Sequence, residues 1–171
     1  MGIDGSLAST GVAIIKDVKD GEVILTAAIE TNSKETLESR IYTIQQTVKG
    51  LIDKYNIKIV IIEDVFVFIN ARTVINLARL NGALLALCEA LEAEVILYPP
   101  ATHKKVTVGK GNATKEETVK EVEKLFNIQV PFLTTKTGKI KKSKGLKLQN
   151  DNIADAISLC YCYFNKDAKR L

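Results

Sequence analysis

Ile57-Lys58-Ile59-Val60-Ile61-Ile62-Glu63-Asp64 is a short β-branched run that ends abruptly in two acids. Side chains alternate across a strand, and here both faces are apolar apart from Lys58. That pattern predicts a parallel strand covered on both sides. An acid at the carboxyl end of such a strand faces the crevice where open α/β sheets place their ligands. The plain alternative for Glu63 and Asp64 is a solvated strand terminus.

Upstream, the first thirty residues carry β patterns broken by Gly5-Ser6, Gly11 and Asp20-Gly21, which predicts three short strands joined as hairpins. Asn32-Ser33 offers a cap for a helix through about Tyr55, with Leu37, Ile41, Ile44, Val48, Leu51 and Ile52 on one face. Downstream, a helical pattern runs from about Ala71 to Ala93. A strand from Glu94 to Tyr98 follows, stopped by Pro99-Pro100. Asn112 or Thr114 caps a helix through Phe126, and the last helix runs from about Asn150 to Phe164. Three strands followed by alternating helix and strand indicate an α/β domain with a mixed five-stranded sheet flanked by helices. No internal repeat or interdomain linker interrupts the chain. One domain over 1–171 is expected, with a basic loop, 131–149, inserted before the last helix.

The chain has 171 residues, 46% of them apolar and 26% charged, enough to build one core. Its net charge of +4 does not by itself argue for nucleic acid. The distribution says more: six lysines fall in the twelve residues from Lys136 to Lys147, with no acid among them. Cys88, Cys160 and Cys162 lack CxxC spacing and read as buried thiols of a reducing compartment. With a single histidine, His103, and no CxxC pair, no zinc site is expected, and His103 beside Lys104 and Lys105 reads as a surface residue. No apolar run approaches the roughly 20 residues of a membrane span and no signal peptide opens the chain. A cytoplasmic protein is expected.

Two further acidic stretches accompany Glu63. Gly2-Ile3-Asp4-Gly5-Ser6 sets a carboxylate at the end of a strand before a tight turn. Asp4 there is either a ligand-facing acid or the start of a hairpin, and actin-like ATPases also open with an Asp-Gly turn that holds phosphate. In Asn150-Asp151-Asn152-Ile153-Ala154-Asp155, helical spacing sets Asp151 and Asp155 one turn apart on one face, with Asn152 also close to Asp155. Asp151 doubles as a possible N-cap. Asp155, one turn into an otherwise apolar helix, points to a ligand or ion. Acids brought together from strand ends and one helical face repel each other, and divalent cations normally neutralise them. Val65-Phe66-Val67-Phe68-Ile69 is either core or an exposed wedge for unpaired bases. Gly109-Lys110-Gly111-Asn112-Ala113-Thr114-Lys115 feeds a helix N-terminus whose amides and lysines suit a phosphate, without Walker spacing.

These segments together resemble the RuvC family of Holliday junction resolvases across nearly the whole chain. The resemblance is carried by Glu63-Asp64-Val65-Phe66, Asn70-Ala71-Arg72, Leu77 to Ala83, Lys104, Gly109-Lys110-Gly111, Lys115 and Ala154-Asp155-Ala156. It implies a ribonuclease H-like fold, a homodimer, and four acidic positions that work with two Mg²⁺ ions, Mn²⁺ substituting. It assigns metal binding to Asp4, Glu63 and Asp155, with the fourth position at Asp151 or Asn152. Phe66 matches an aromatic that meets bases at the crossover. Lys104 and Lys115 match basic residues near the scissile phosphate, Lys115 as a catalytic charge. Lys139, Lys141, Lys142 and Lys144 of the basic loop are expected to contact DNA.

The long basic loop and the Asp-Asn-Ile-Ala-Asp arrangement look closer to the phage and virus branch, which would make the compartment a host cytoplasm. Two departures stand out. The usual fourth acid falls on Asn152, which marks either a shift of the ligand to Asp151 or a weakened site. Family members also carry several apolar residues before Gly-Ile-Asp, so an upstream native start is expected. The implied function is a Mg²⁺-dependent endonuclease that nicks four-way junctions and other branched DNA. The alternative is a catalytically weakened branched-DNA-binding protein of the same fold. The helix from Ala71 to Ala93 is the expected dimer interface, because Ala83 to Leu87 is more apolar than one buried face requires.

Overall fold

The computed structural model describes residues 1–16, 22–65, 70–134, 138–143, 146–147 and 149–166. Strands β1 (Gly2–Asp4), β2 (Ser9–Ile15) and β3 (Val23–Glu30) form the antiparallel half of a sheet. Strands β4 (Ile59–Glu63) and β5 (Glu94–Tyr98) add to the other side of β1 in parallel. The order is β3-β2-β1-β4-β5, the expected mixed five-stranded sheet.

Alternation along the strands divides the core. Ile3, Val12, Ile14, Val60 and Ile62 turn to one face, where α1 (Leu37–Tyr55) and α2 (Ala71–Ala90) cover them with Ile44, Val48, Leu80 and Leu84. Ala13, Ile15 and Ile61 turn to the other. There α4 (Lys115–Phe126) and α5 (Asp151–Lys166) supply Val119, Val122, Ile153, Ile157 and Leu159. Leu84 is fully buried, so its truncation to Ala costs about 2–5 kcal/mol. Cys88, Cys160 and Cys162 are buried free thiols, as expected. Among the described residues no helix is long and apolar enough to cross a membrane.

The structure differs from the sequence reading at several boundaries. Helix α1 is capped by Thr36, whose hydroxyl accepts the Ser39 amide at 3.2 Å. Asn32 instead accepts the Lys34 amide in a local turn at 3.1 Å. Helix α2 stops at Ala90, three residues short of the expected end, and Glu92 turns left-handed with φ 53 to lead into β5. Pro99-Pro100 stops β5 at Tyr98 as expected, but Pro100 also opens a helix the sequence did not announce, α3 (Pro100–Val108), because a proline at the first helical position gives up no hydrogen bond. The 131–149 segment is more than a loop. Phe132 bridges Gln149, Thr134 bridges Ile140, and β6 (Lys142–Ser143) pairs with β7 (Leu146–Lys147). Strands of two residues are too short for periodicity to reveal.

Candidate active site

Parallel pairing of β1 with β4 sets Gly2 opposite Ile61 and Ile3 opposite Ile62. The next step along both strands brings Asp4 and Glu63 side by side at their carboxyl ends. Alternation turns both toward the face that α5 covers. What lets α5 come close is the absence of side chains beneath it. A β-carbon on Gly2 would lie 2.1 Å from the Ala156 carbonyl oxygen, and one on Gly11 would lie 2.1 Å from that of Asn152. The first turns of α5 thus press onto bare backbone and carry Asp151 and Asp155 over the strand ends.

The charges register this convergence. The Asp4 carboxyl is pushed well above its ordinary range, first by burial and then by Glu63, Asp155 and Asp151, with Lys115 opposing. Asp155, 6% exposed, is also raised, first by burial. Lys104 and His103 pull it down while Glu63 and Asp151 push it up. Four carboxylates therefore share one field, with Lys104, Lys115 and His103 as the nearby cations or donors.

The acids differ in how they are partnered. Asp151 pairs with the Lys115 ammonium, which holds the lysine above its ordinary pKa. Glu63 Oε2 accepts from His103 Nε2 at 2.8 Å. Asp155 Oδ1 is buried with no hydrogen-bond partner, a distinction it shares among the described residues with Ser9 Oγ. An unpaired buried carboxylate oxygen is costly unless something positive meets it. Among the described residues no three His, Cys, Asp or Glu side chains already form a cage. The donor set is nonetheless all oxygen, and its unmet charge fits hard divalent cations such as Mg²⁺ or Mn²⁺.

Asn152 is used differently. Its side-chain amide donates to the Ser9 carbonyl at the start of β2, clamping α5 to the sheet. Lys104 lies on α3, half-buried and within the field of Asp155. A groove of about 250 Å³ beside Lys115 is lined also by Lys120, Leu133, Gln149 and Asp151. Lys139 and Lys141 are exposed on the 131–149 segment, and Lys142 lies in β6. Phe66 and Lys144 lie outside the described residues. The glycine-flanked turn before α4 does not present a bare helix end. Thr114 accepts the Glu117 amide and Glu117 the Thr114 amide, a closed capping box, while Lys110 pairs with Glu117 at 2.6 Å. A largely apolar cavity of about 350 Å³, bordered by Met1, Ile59, Cys160 and Phe164 with Lys16 and Lys58 at its rim, lies at the opposite ends of β1 and β4, and among the described residues no acid lines it.

Two residues escaped the sequence reading. His103 is not at the surface: it is fully buried, between Glu63 and Ser158. Its burial follows from α3, the helix hidden behind the two prolines. Asn81 of α2 donates to the Glu63 backbone carbonyl at 3.0 Å, fixing the end of β4. The buried asparagine in an apolar helix was the available signal.

A β3-β2-β1-β4-β5 sheet with acids at the ends of β1 and β4 and on the final helix is the frame of the ribonuclease H-like proteins. The sequence profile described as crossover junction endodeoxyribonuclease RuvC matches residues 1–163. The chain belongs to the RuvC family. It is 31% identical to the crossover junction endodeoxyribonuclease RuvC of Ehrlichia canis over 163 residues, 95% of each chain. It is 30% identical to that of Dictyoglomus turgidum over 170 residues, 97% of this chain and 96% of the other. In fold it matches Thermus thermophilus RuvC in complex with a Holliday junction substrate. The TM-score is 0.73 at 19% identity, over 95% of this chain and 90% of the other. These relatives are bacterial, and the expected phage affiliation is not borne out by them.

Proposed function

We propose that this protein nicks four-way DNA junctions and other branched DNA by hydrolysing phosphodiester bonds, in a cytoplasmic setting. The observation that carries the reading is the single field shared by Asp4, Glu63, Asp151 and Asp155 at the carboxyl ends of β1 and β4. In this reading Asp4, Glu63, Asp151 and Asp155 hold two Mg²⁺ ions, with Mn²⁺ as substitute. The chemistry such ions supply when bound is Lewis acidity toward the scissile phosphate and a lowered pKa for the attacking water.

The chain's own residues do the rest. Asp151 rather than Asn152 is the fourth acid, supported by its electrostatic effect on both Asp4 and Asp155. That reading favours an active enzyme over a weakened DNA-binding protein. Lys115, exposed and tied to Asp151, offers its ammonium to the phosphate, and Lys104 balances charge at Asp155. Asn81 holds the backbone that carries Glu63. Lys139, Lys141, Lys142 and Lys144 supply backbone attraction, and Phe66, following the end of β4, meets unpaired bases. Products carry 5′-phosphate and 3′-hydroxyl ends.

A homodimer suits a two-fold junction with two sites to cut. On α2, Ile75 is 50% and Leu85 37% exposed, in line with the small residues Ala78, Gly82 and Ala86, which supports this helix as the interface. The test is nicking of a labelled four-way junction against a matched linear duplex, with and without Mg²⁺, on protein of known association state. Equal cutting of both substrates, or nicking that ignores Mg²⁺, overturns the reading.

A further inference from the structure

His103 is the chain's one histidine, and it is buried completely. Both of its ring nitrogens are engaged. Nδ1 lies 2.8 Å from Ser158 Oγ of α5, and Nε2 lies 2.8 Å from Glu63 Oε2 of β4. Ser158 Oγ in turn lies 2.8 Å from Thr107 Oγ1, one turn along α3. All three are interior, with Ser158 fully buried and Thr107 6% exposed. An apolar side chain would fill the same space without needing any of these bonds. The polar series has one end that opens on chemistry, the carboxylate of Glu63.

The donor order is set by that end. An ionised Glu63 accepts, so Nε2 carries a proton and donates. In the neutral tautomer Nδ1 then accepts from the Ser158 hydroxyl, which accepts from Thr107. Three donors therefore run in one direction, from α3 through α5 back to α3, and end on Glu63 Oε2. The Glu63 side chain is only 22% exposed, and its second oxygen, Oε1, is left for another partner.

We propose that His103 is a positioning residue for Glu63. Locked by Ser158 and Thr107, it fixes the carboxylate so that Oε2 is occupied and Oε1 is presented to a divalent cation shared with Asp4 and Asp155. This rests on the reading of the four acids as a cation site. Glutamate has three side-chain torsions, and a ligand that must find its rotamer on each encounter binds more weakly than one already held.

The experiment is Mn²⁺ titration of the full-length, DNA-free protein, followed by calorimetry and by the electron paramagnetic signal of free Mn²⁺. Thermal melting of each variant runs alongside. His103→Leu fills the space without a donor and is expected to weaken Mn²⁺ binding about 10–100-fold. Ser158→Ala removes one oxygen and is expected to weaken it in the same direction by less. His103→Gln, whose Nε2 can donate to Glu63, is expected to restore affinity to within a few-fold. A folded His103→Leu with native affinity overturns the proposal, as does a His103→Gln no better than His103→Leu. Should His103→Leu fail to fold, Ser158→Ala decides, and unchanged affinity there overturns it too. Asp155→Asn separates the two levels. If it binds Mn²⁺ like the native chain, the cation site itself is wrong and the role of His103 falls with it. If it loses binding while His103→Leu keeps it, only the positioning role is lost.

Discussion

Gly11 of β2 lies so close to Asn152 of α5 that a β-carbon on the glycine would meet the Asn152 carbonyl oxygen at 2.1 Å and its carbon at 2.3 Å. Backbone cannot yield as a flexible side chain can, so Gly11→Ala must lift the start of α5. That movement carries Asp151 and Asp155 away from Asp4. The expected outcome is a loss of about 1–3 kcal/mol of stability, typical of overpacking, and Mg²⁺-dependent nicking near background even where the protein folds. Melting and junction-nicking assays on the same preparation check it, and native activity from a folded Gly11→Ala would contradict it.

Asp4→Asn and Glu63→Gln are expected to remove nicking by more than the roughly 10–100-fold typical of losing an outer partner. Junction binding should stay within a few-fold, because these acids repel phosphate rather than hold it. Gel-shift and nicking assays in parallel test this. Substantial turnover by either variant removes that residue from the site.

The raised carboxyls predict a pH dependence for the metal-free protein. Asp4 and Asp155 both sit above the ordinary Asp value of 3.8 when folded, chiefly through burial. Between that value and the raised ones the folded chain binds more protons than the unfolded chain, so stability falls as pH rises. Asp155→Asn cannot ionise. It is expected to melt higher than the native chain near neutrality and to lose part of the dependence above the ordinary Asp value of 3.8. Mg²⁺ should raise the native melting temperature most near neutrality. Parallel melting curves for native and variant check this across that range, and identical pH dependence in the two would show that Asp155 carries no such penalty.

Asp151 and Asn152 are separable by exchange. Asp151→Asn is expected to abolish nicking and to release Lys115 from its ion pair. Asn152→Asp should not raise nicking. It replaces a donor to the Ser9 carbonyl with an acceptor and leaves that carbonyl facing a carboxylate, at a cost of about 1–3 kcal/mol. An Asn152→Asp protein with raised Mg²⁺-dependent nicking would return the fourth ligand to position 152.

Neutralising Lys139, Lys141, Lys142 and Lys144 together should weaken binding to junction and duplex alike. Every lysine that neutralises a phosphate adds roughly 0.9 to the slope of log affinity against log salt on duplex DNA, so the fourfold variant should show a flatter slope. A slope unchanged across a salt titration would mean that these lysines do not meet phosphate.

Much was legible from the chain because local patterns carried it. The β-branched run ending at Glu63 announced a buried parallel strand, and the three leading strands with alternating helices announced the mixed sheet. An acid one turn into the apolar α5 marked Asp155. These signals are set by side-chain period and burial, which a one-dimensional pattern expresses directly. Other features depended on where elements meet. A helix turns about 100° per residue, so whether Asp151 or Asn152 faces the strand ends rests on how α5 seats over Gly2 and Gly11. That seating joins segments far apart in the chain, as in the Asn152 bond to Ser9, 143 residues away. His103 was illegible for the same reason. Its partners Glu63 and Ser158 lie 40 and 55 residues away, and no spacing rule joins a lone histidine behind two prolines to a strand-end acid. Local periodicity is written residue by residue, whereas the convergence of charges exists only once the strands pair and the last helix closes on bare glycine backbone.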